Sequence, residues 1–167
     1  MKAEWFVAWV ATGQESELLE RIRHTPGVMK AICPMLELWR HKQGAWTLRK
    51  QIVFPGYIFL RCRMSSAVYY AIKDIPGVLG WLGRDSMWPT TVRQEEMDVV
   101  LALDQGVDPG TVLTDAKTDN RRRRAYGSLT LQGKQYRIPY NVYSNNQVET
   151  PAGDASPEDT PKPITGD

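Results

Sequence analysis

The stretch Phe54-Pro55-Gly56-Tyr57-Ile58-Phe59-Leu60 constrains this chain more than any other. Proline holds φ near about −65° and lacks an N–H, while glycine tolerates positive φ. A Pro-Gly pair between two apolar runs therefore predicts a sharp corner that opens a buried strand over residues 57–62. Phe54 and Tyr57 flank the bend. A corner that carries aromatic rings can present an apolar surface to another macromolecule.

Other signals place elements around this corner. Trp5 to Ala11 is a continuous apolar run rich in β-formers and predicts a central strand. Thr12 and Glu15 have capping-box spacing, and Leu18, Leu19 and Ile22 recur at helical spacing. That helix should stop before Pro26-Gly27. Residues 30–40 read as a strand interrupted by Pro34, which confines it to an edge or a bulge. Residues 36–41 and 45–52 flank Lys42-Gln43-Gly44 as a hairpin. Ser65 and Ser66 offer caps for a short helix that ends near Pro76-Gly77, and residues 78–82 form a short strand. Thr91 and Gln94 repeat the capping-box spacing before Met97, Val100 and Leu101. Helices interleaved with hairpin-connected strands indicate an α+β fold, an antiparallel sheet flanked by helices.

The rest of the chain divides by composition. Residues 1–105 form the main domain, and 106–120 read as a polar linker. Residues 121–143 read as a small basic C-terminal hairpin, or a degenerate remnant of a C-terminal domain, with Leu129, Leu131, Tyr136 and Ile138 as its apolar set. A lone hairpin is marginal in water, so it must dock or remain mobile. Residues 144–167 carry four prolines and five acids against Lys162 alone, the composition of a disordered acidic tail.

The formal net charge of +2 conceals an asymmetry. Residues 30–63 hold Lys30, Arg40, Lys42, Arg49, Lys50, Arg61 and Arg63 against Glu37 alone. Arg121, Arg122, Arg123 and Arg124 start a second basic block. Two such blocks point to a polyanionic partner, with salt-dependent contacts to phosphates. Cys33 and Cys62 lie in apolar runs and read as buried thiols. His24 and His41 match no ligand spacing, so no metal or other cofactor is expected. No paired carboxylates, nucleophile–base set or phosphate-cradling glycine loop is apparent, so the chain does not read as an enzyme. No signal-peptide pattern or membrane-spanning apolar run is present, and a cytoplasmic protein is expected.

The order and residues of these motifs resemble the N-terminal domain of the NusG/RfaH family of transcription elongation factors. The matching positions are Trp5-Phe6-Val7, Thr12-Gly13-Gln14-Glu15, Cys33-Pro34-Met35, the Phe54 to Leu60 stretch, Pro76-Gly77-Val78, Leu82-Gly83, and Pro89-Thr90. The resemblance covers about residues 3–105 and implies a NusG N-terminal-like α/β sandwich. It implies a regulator that binds the clamp helices of RNA polymerase and suppresses pausing or termination. The implied polymerase-binding residues are Phe54, Pro55, Gly56, Tyr57 and Ile58. Phe59 and Leu60 read as core, and Ile58 is compatible with either face.

The resemblance also implies contact with the non-template DNA strand, nascent RNA or both. Thr12, Gln14, Arg21, Arg23 and His24 fall in the matching region around the first helix. Glu15, Glu17 and Glu20 make that helix mixed in charge, which also suits a solvated face. Arg40, Lys42, Arg49 and Lys50, with Arg121 to Arg124, are alternative footprints. A His-Thr-Thr-Thr run that meets the polymerase gate loop in a specialised relative falls near Val68-Tyr69-Tyr70-Ala71, where the hydroxyl pattern is missing. Residues 111–143 show no convincing KOW pattern, so Rho and ribosomal-protein partners are not carried over. This divergence points to an operon-specific paralogue. The competing reading is a free RNA- or DNA-binding module that uses the basic hairpins.

Overall fold

The computed structural model describes residues 2–83, 88–119 and 124–141, apart from the side chains of residues 40–42, 119 and 124. The four prolines of the 144–167 segment, and Arg121 to Arg123, lie outside the described residues.

The chain runs β1 (Glu4–Val10), α1 (Glu15–Arg23), β2 (Val28–Ile32), β3 (Met35–Lys42), β4 (Ala45–Ile52), β5 (Tyr57–Cys62), α2 (Ser66–Lys73), β6 (Val78–Trp81), α3 (Gln94–Asp104), α4 (Pro109–Val112), β7 (Thr114–Asp119), β8 (Arg124–Leu131) and β9 (Lys134–Asn141). The main sheet has the order β2-β5-β1-β6, and each neighbouring pair is antiparallel. β3 and β4 form a separate hairpin, and β7-β8-β9 a three-stranded sheet. The fold is thus α+β, as the sequence predicts.

Strand alternation sorts the main sheet into two faces. Phe6, Ala8, Val10, Ile58, Leu60 and Cys62 pack against Leu18 and Ile22 of α1 and Val68 and Ile72 of α2. Trp5, Val7, Ile32 and Phe59 form the other core with Met97, Val100 and Leu103 of α3. Leu113, Ala125, Leu129, Leu131, Ile138 and Tyr140 complete that second core. The C-terminal sheet is therefore docked, and it buries the face that would otherwise meet water.

Three expectations change. Pro34 does more than interrupt one strand: the segment divides there between two sheets, because β2 pairs with β5 while β3 pairs with β4. The expected linker contains α4, opened by Asp108 accepting from Gly110 N–H at 3.1 Å, and then β7. The basic hairpin is two strands of a three-stranded sheet, since the polar Thr114–Asp119 segment pairs with β8.

Local chemistry explains the turns. Gln43-Gly44 and Gln132-Gly133 join β3 to β4 and β8 to β9, all four with positive φ (53°, 78°, 51° and 80°). Two positive-φ residues make the turn whose twist suits a two-residue hairpin. The second hairpin is hooked to α3: Gln132 N–H donates to Glu96 Oε1 at 3.1 Å, and Gln132 Nε2 donates to the Thr90 carbonyl at 2.8 Å.

Neither capping-box expectation holds. Val92 N–H donates to the Trp5 carbonyl at 2.8 Å, so Arg93 is the cap of α3, without a side-chain cap bond. At α1 the cap is Gln14. Glu15, only 3% exposed, accepts from Gly13 N–H at 2.7 Å with one carboxylate oxygen. Its other oxygen accepts from Gly56 N–H at 2.9 Å. Gly56 carbonyl accepts from Val10 N–H at 2.8 Å, so the corner is held on both sides.

Two measurements check this packing. Cys33 and Cys62 are free and buried, and burial pushes both thiols up to about 11, with Glu15 and Asp104 adding to the effect at Cys33. Native protein at pH 8 should label slowly with a thiol reagent, and two equivalents should react after denaturation. Glu15→Ala strips the acceptor from two backbone donors and should lower stability by about 2–3 kcal/mol in urea titration. Glu15→Gln keeps one acceptor oxygen and should lose less.

Candidate functional site

The corner is a hydrogen-bonded turn. Tyr57 N–H donates to the Phe54 carbonyl at 3.0 Å, with Pro55 and Gly56 between them. Gly56 has φ +85°, which L side chains avoid, so Pro-Gly supplies the two central residues of a type II turn. An added Cβ at Gly56 would lie 3.2 Å from the Val10 carbonyl oxygen, so the site excludes larger residues by space as well as by φ.

The turn fixes where its neighbours point. Pro55 is exposed, Tyr57 half-buried, and Phe54 only 3% exposed. Phe54 meets Phe59 edge-on at 5.5 Å and lies roughly parallel to Tyr57 at 6.4 Å between centroids. Ile58 is fully buried and packs on the α1–α2 face, away from the corner's open side. Of the two faces that the sequence leaves open to Ile58, strand alternation gives it the one against α1 and α2.

Tyr136 of β9 covers the rings. Its ring meets Phe54 edge-on at 5.5 Å and Tyr57 at 6.1 Å. The Tyr57 and Tyr136 hydroxyls are 3.2 Å apart. Burial, then the hydrogen bond to Tyr57, holds the Tyr136 phenol well above the ordinary tyrosine range. The corner is thus an aromatic cluster covered by Tyr136 in this conformation, where the sequence suggests an apolar surface presented to a partner.

One aromatic next to the corner stays open. Trp9 is 49% exposed and pairs directly with Tyr57 across β1 and β5. On its other side Trp9 faces Gly80 of β6, which has no side chain to cover it. Sequence reading absorbed Trp9 into a continuous apolar strand. Its alternation with Val7 and Trp5, on the face away from α1, is the signal that would have separated it.

The expected nucleic-acid residues are distributed over the α1 region, the β3–β4 hairpin and the start of β8. Thr12, Gln14, Arg21, Arg23 and His24 are all exposed. Arg23 is committed to local contacts, donating to the Ala31 carbonyl at 3.1 Å and pairing with Glu20 at 2.8 Å. His24 Nδ1 lies 2.7 Å from the Glu20 carbonyl oxygen. Arg49 and Lys50 are exposed on β4, with Lys50 directly opposite Glu37 of β3. Arg40 and Lys42 lie on β3 and Arg124 opens β8, but their side chains, like Arg121, Arg122 and Arg123, are outside the described residues.

A cleft of about 830 Å³ lies between the β3–β4 hairpin, the end of α3, α4 and β9, lined in part by Leu36, Trp39, Asp104 and Tyr140. Among the described residues no His, Cys, Asp and Glu cluster is arranged to hold a metal ion. No described helix is long and apolar enough to cross a membrane.

Comparison with known proteins gives the lineage. Curated relatives include the transcription termination/antitermination protein NusG of Buchnera aphidicola, 23% identical over 107 residues, which covers 60% of this chain and 59% of the relative. NusG of Halalkalibacterium halodurans is 26% identical over 110 residues, covering 60% of this chain and 62% of the relative. The chain thus spans about three-fifths of the length of these relatives. A solved structure described as "Domain interaction in Thermotoga maritima NusG" superposes with a TM-score of 0.61 at 19% identity, covering 85% of this chain and 95% of that one, and it supports the fold. The family model described as transcription termination factor nusG matches residues 3–101, which include the corner, Glu15 and all of the main sheet, and the chain belongs to the NusG family.

Proposed function

We propose that this protein is a transcription elongation and antitermination regulator that docks on the clamp helices of RNA polymerase. The single observation that carries the reading is the turn at Pro55-Gly56, which sets Tyr57 beside the half-exposed Trp9 at the edge of an aromatic cluster. Tryptophan and tyrosine are the residues that most often dominate a protein interface. The names of the curated relatives described above, transcription termination/antitermination proteins, support the same class of activity. Such a regulator works in the cytoplasm, where the polymerase is, and performs no chemistry of its own.

The docking face has an open and a covered part. Trp9 and Pro55 are accessible, while Phe54 and part of Tyr57 lie under Tyr136. Full engagement of the aromatic cluster requires β9 to move aside, so Tyr136 tunes affinity. Operon specificity and contact with the non-template strand or nascent RNA belong to the same proposal, with exposed Arg49 and Lys50 as candidate phosphate contacts.

Binding to an isolated clamp-helix fragment tests the reading. Trp9→Ala and Tyr57→Ala should each weaken binding at least about tenfold. Tyr136→Ala should strengthen it, because it loosens the cover. Unchanged binding by folded Trp9→Ala and Tyr57→Ala proteins would remove the corner from the docking surface. In transcription assays the parent protein should shorten the dwell at a pause site.

A further inference from the structure

The outer face of the C-terminal sheet is open to water. The inner residues Ala125, Leu129, Leu131 and Ile138 belong to the core shared with α3. Strand alternation turns Tyr126, Ser128 and Arg137 the other way. With Lys117 of β7 they line a hollow of about 640 Å³. Lys117 and Arg137 are exposed, and Tyr126 and Ser128 are half-buried.

The hollow suits carboxylates. Lys117 is opposite Tyr126 and Arg137 is opposite Ser128, so neither cation has an acid as its cross-strand partner. Lys50 of β4, by contrast, lies opposite Glu37. Neither Lys117 nor Arg137 forms an ion pair with another described residue. Among the described residues that line the hollow, Asp115 is the single acid. The Arg137 guanidinium lies over the Tyr126 ring, 3.7 Å from its centroid. Stacking holds the guanidinium flat and leaves its in-plane N–H groups to face a partner. Such a planar fork matches a carboxylate through two parallel hydrogen bonds. The same stacking occupies a Tyr126 face that an unpaired base would need.

The chain itself supplies the complement. Residues 144–167 lie outside the described residues and carry Glu149, Asp154, Glu158, Asp159 and Asp167 against Lys162 alone. They start three residues after Asn141, which ends the strand that bears Arg137. Tethering holds them near the face at an effective concentration on the order of mM, so even a weak contact is populated. We propose that the outer face of the C-terminal sheet is a binding surface for an acidic peptide, and that its occupant is the chain's own segment 144–167. Lys117 and Arg137 take carboxylates of that segment. The contact is independent of the polymerase reading and of the β4 cations.

A nitroxide label on Ser156→Cys in the intact chain tests the proposal, because Cys33 and Cys62 are buried and label slowly. Amide signals are compared with the label oxidised and reduced. The Lys117, Tyr126 and Arg137 amides should lose most of their intensity while the label is oxidised. Salt at about 1 M, where the Debye length is roughly 3 Å, should restore them. Lys117→Gln with Arg137→Gln should restore the Tyr126 and Ser128 signals at low salt. Both side chains are exposed, so the double variant should fold, and circular dichroism would verify it. Signal loss confined to β4 around Arg49 and Lys50 would overturn the proposal. So would loss that persists unchanged in the folded double variant. Equal loss in isotope-enriched, unlabelled chains mixed with labelled ones would also overturn it, because the occupant would then belong to a second copy. No loss at this face, with shifts there on adding oligo(U), would make nucleic acid the occupant and overturn it as well.

Discussion

One buried carboxylate ties the two halves of the central sheet region together. Glu15, at the start of α1, accepts backbone N–H groups from Gly13 and Gly56 at once. The second of these donors lies 41 residues further along the chain. The contact sets the N-terminus of α1 against the turn that starts β5. Hydrogen bonds of this kind involve a charged acceptor in a dry setting, where they are stronger than neutral ones. The turn's own demands are severe, since Gly56 needs positive φ and has the Val10 carbonyl oxygen within 3.2 Å of an added Cβ. Glu15 and Val10 together hold the turn in position from both sides of Gly56. That position places Tyr57 opposite Trp9 and turns Phe54 inward.

The C-terminal sheet depends on the same frame. Among the described residues, side-chain contacts of β9 and the turn before it tie the sheet to the main body. Gln132 bonds to Glu96 and Thr90 near the start of α3. Tyr136 lies on Phe54 and Tyr57. The Asn141 side-chain oxygen accepts from Trp39 N–H on β3 at 2.9 Å. A three-stranded sheet of this size has little core of its own, and its apolar residues find theirs in the face shared with α3. The cover over the aromatic cluster is therefore a consequence of how the C-terminal segment attains stability. The proposed docking face and the proposed regulator of its access are built from one packing arrangement.

Sequence reading succeeded where the deciding chemistry was local. Pro55-Gly56, Gln43-Gly44 and the Ser65 cap, whose hydroxyl accepts from Val68 N–H at 3.2 Å, each act within four residues. It failed where a distant partner decided. Glu15 has capping-box spacing from Thr12, but a remote glycine N–H outcompetes that bond. Thr91 and Gln94 have the same spacing, but the Trp5–Val92 bridge holds that segment extended, and Gln94 bonds to Asp98 instead. The polar Thr114–Asp119 segment carries no apolar pattern, and becomes a strand only because β8 lies beside it. The candidate site was legible to the same degree. Its turn and aromatic content were readable, whereas the burial of Ile58, the cover by Tyr136 and the openness of Trp9 depend on which sheet face meets which layer.

The central claim is that the Pro55-Gly56 corner and its aromatic neighbours form the polymerase-docking face. Amide and indole N–H chemical-shift mapping during titration with an isolated clamp-helix fragment tests it most directly. The account predicts that the largest changes fall on Gly56, Tyr57, the Trp9 indole and the β9 residues around Tyr136. Changes confined to α1 and α2, with the corner and β9 unmoved, would contradict it.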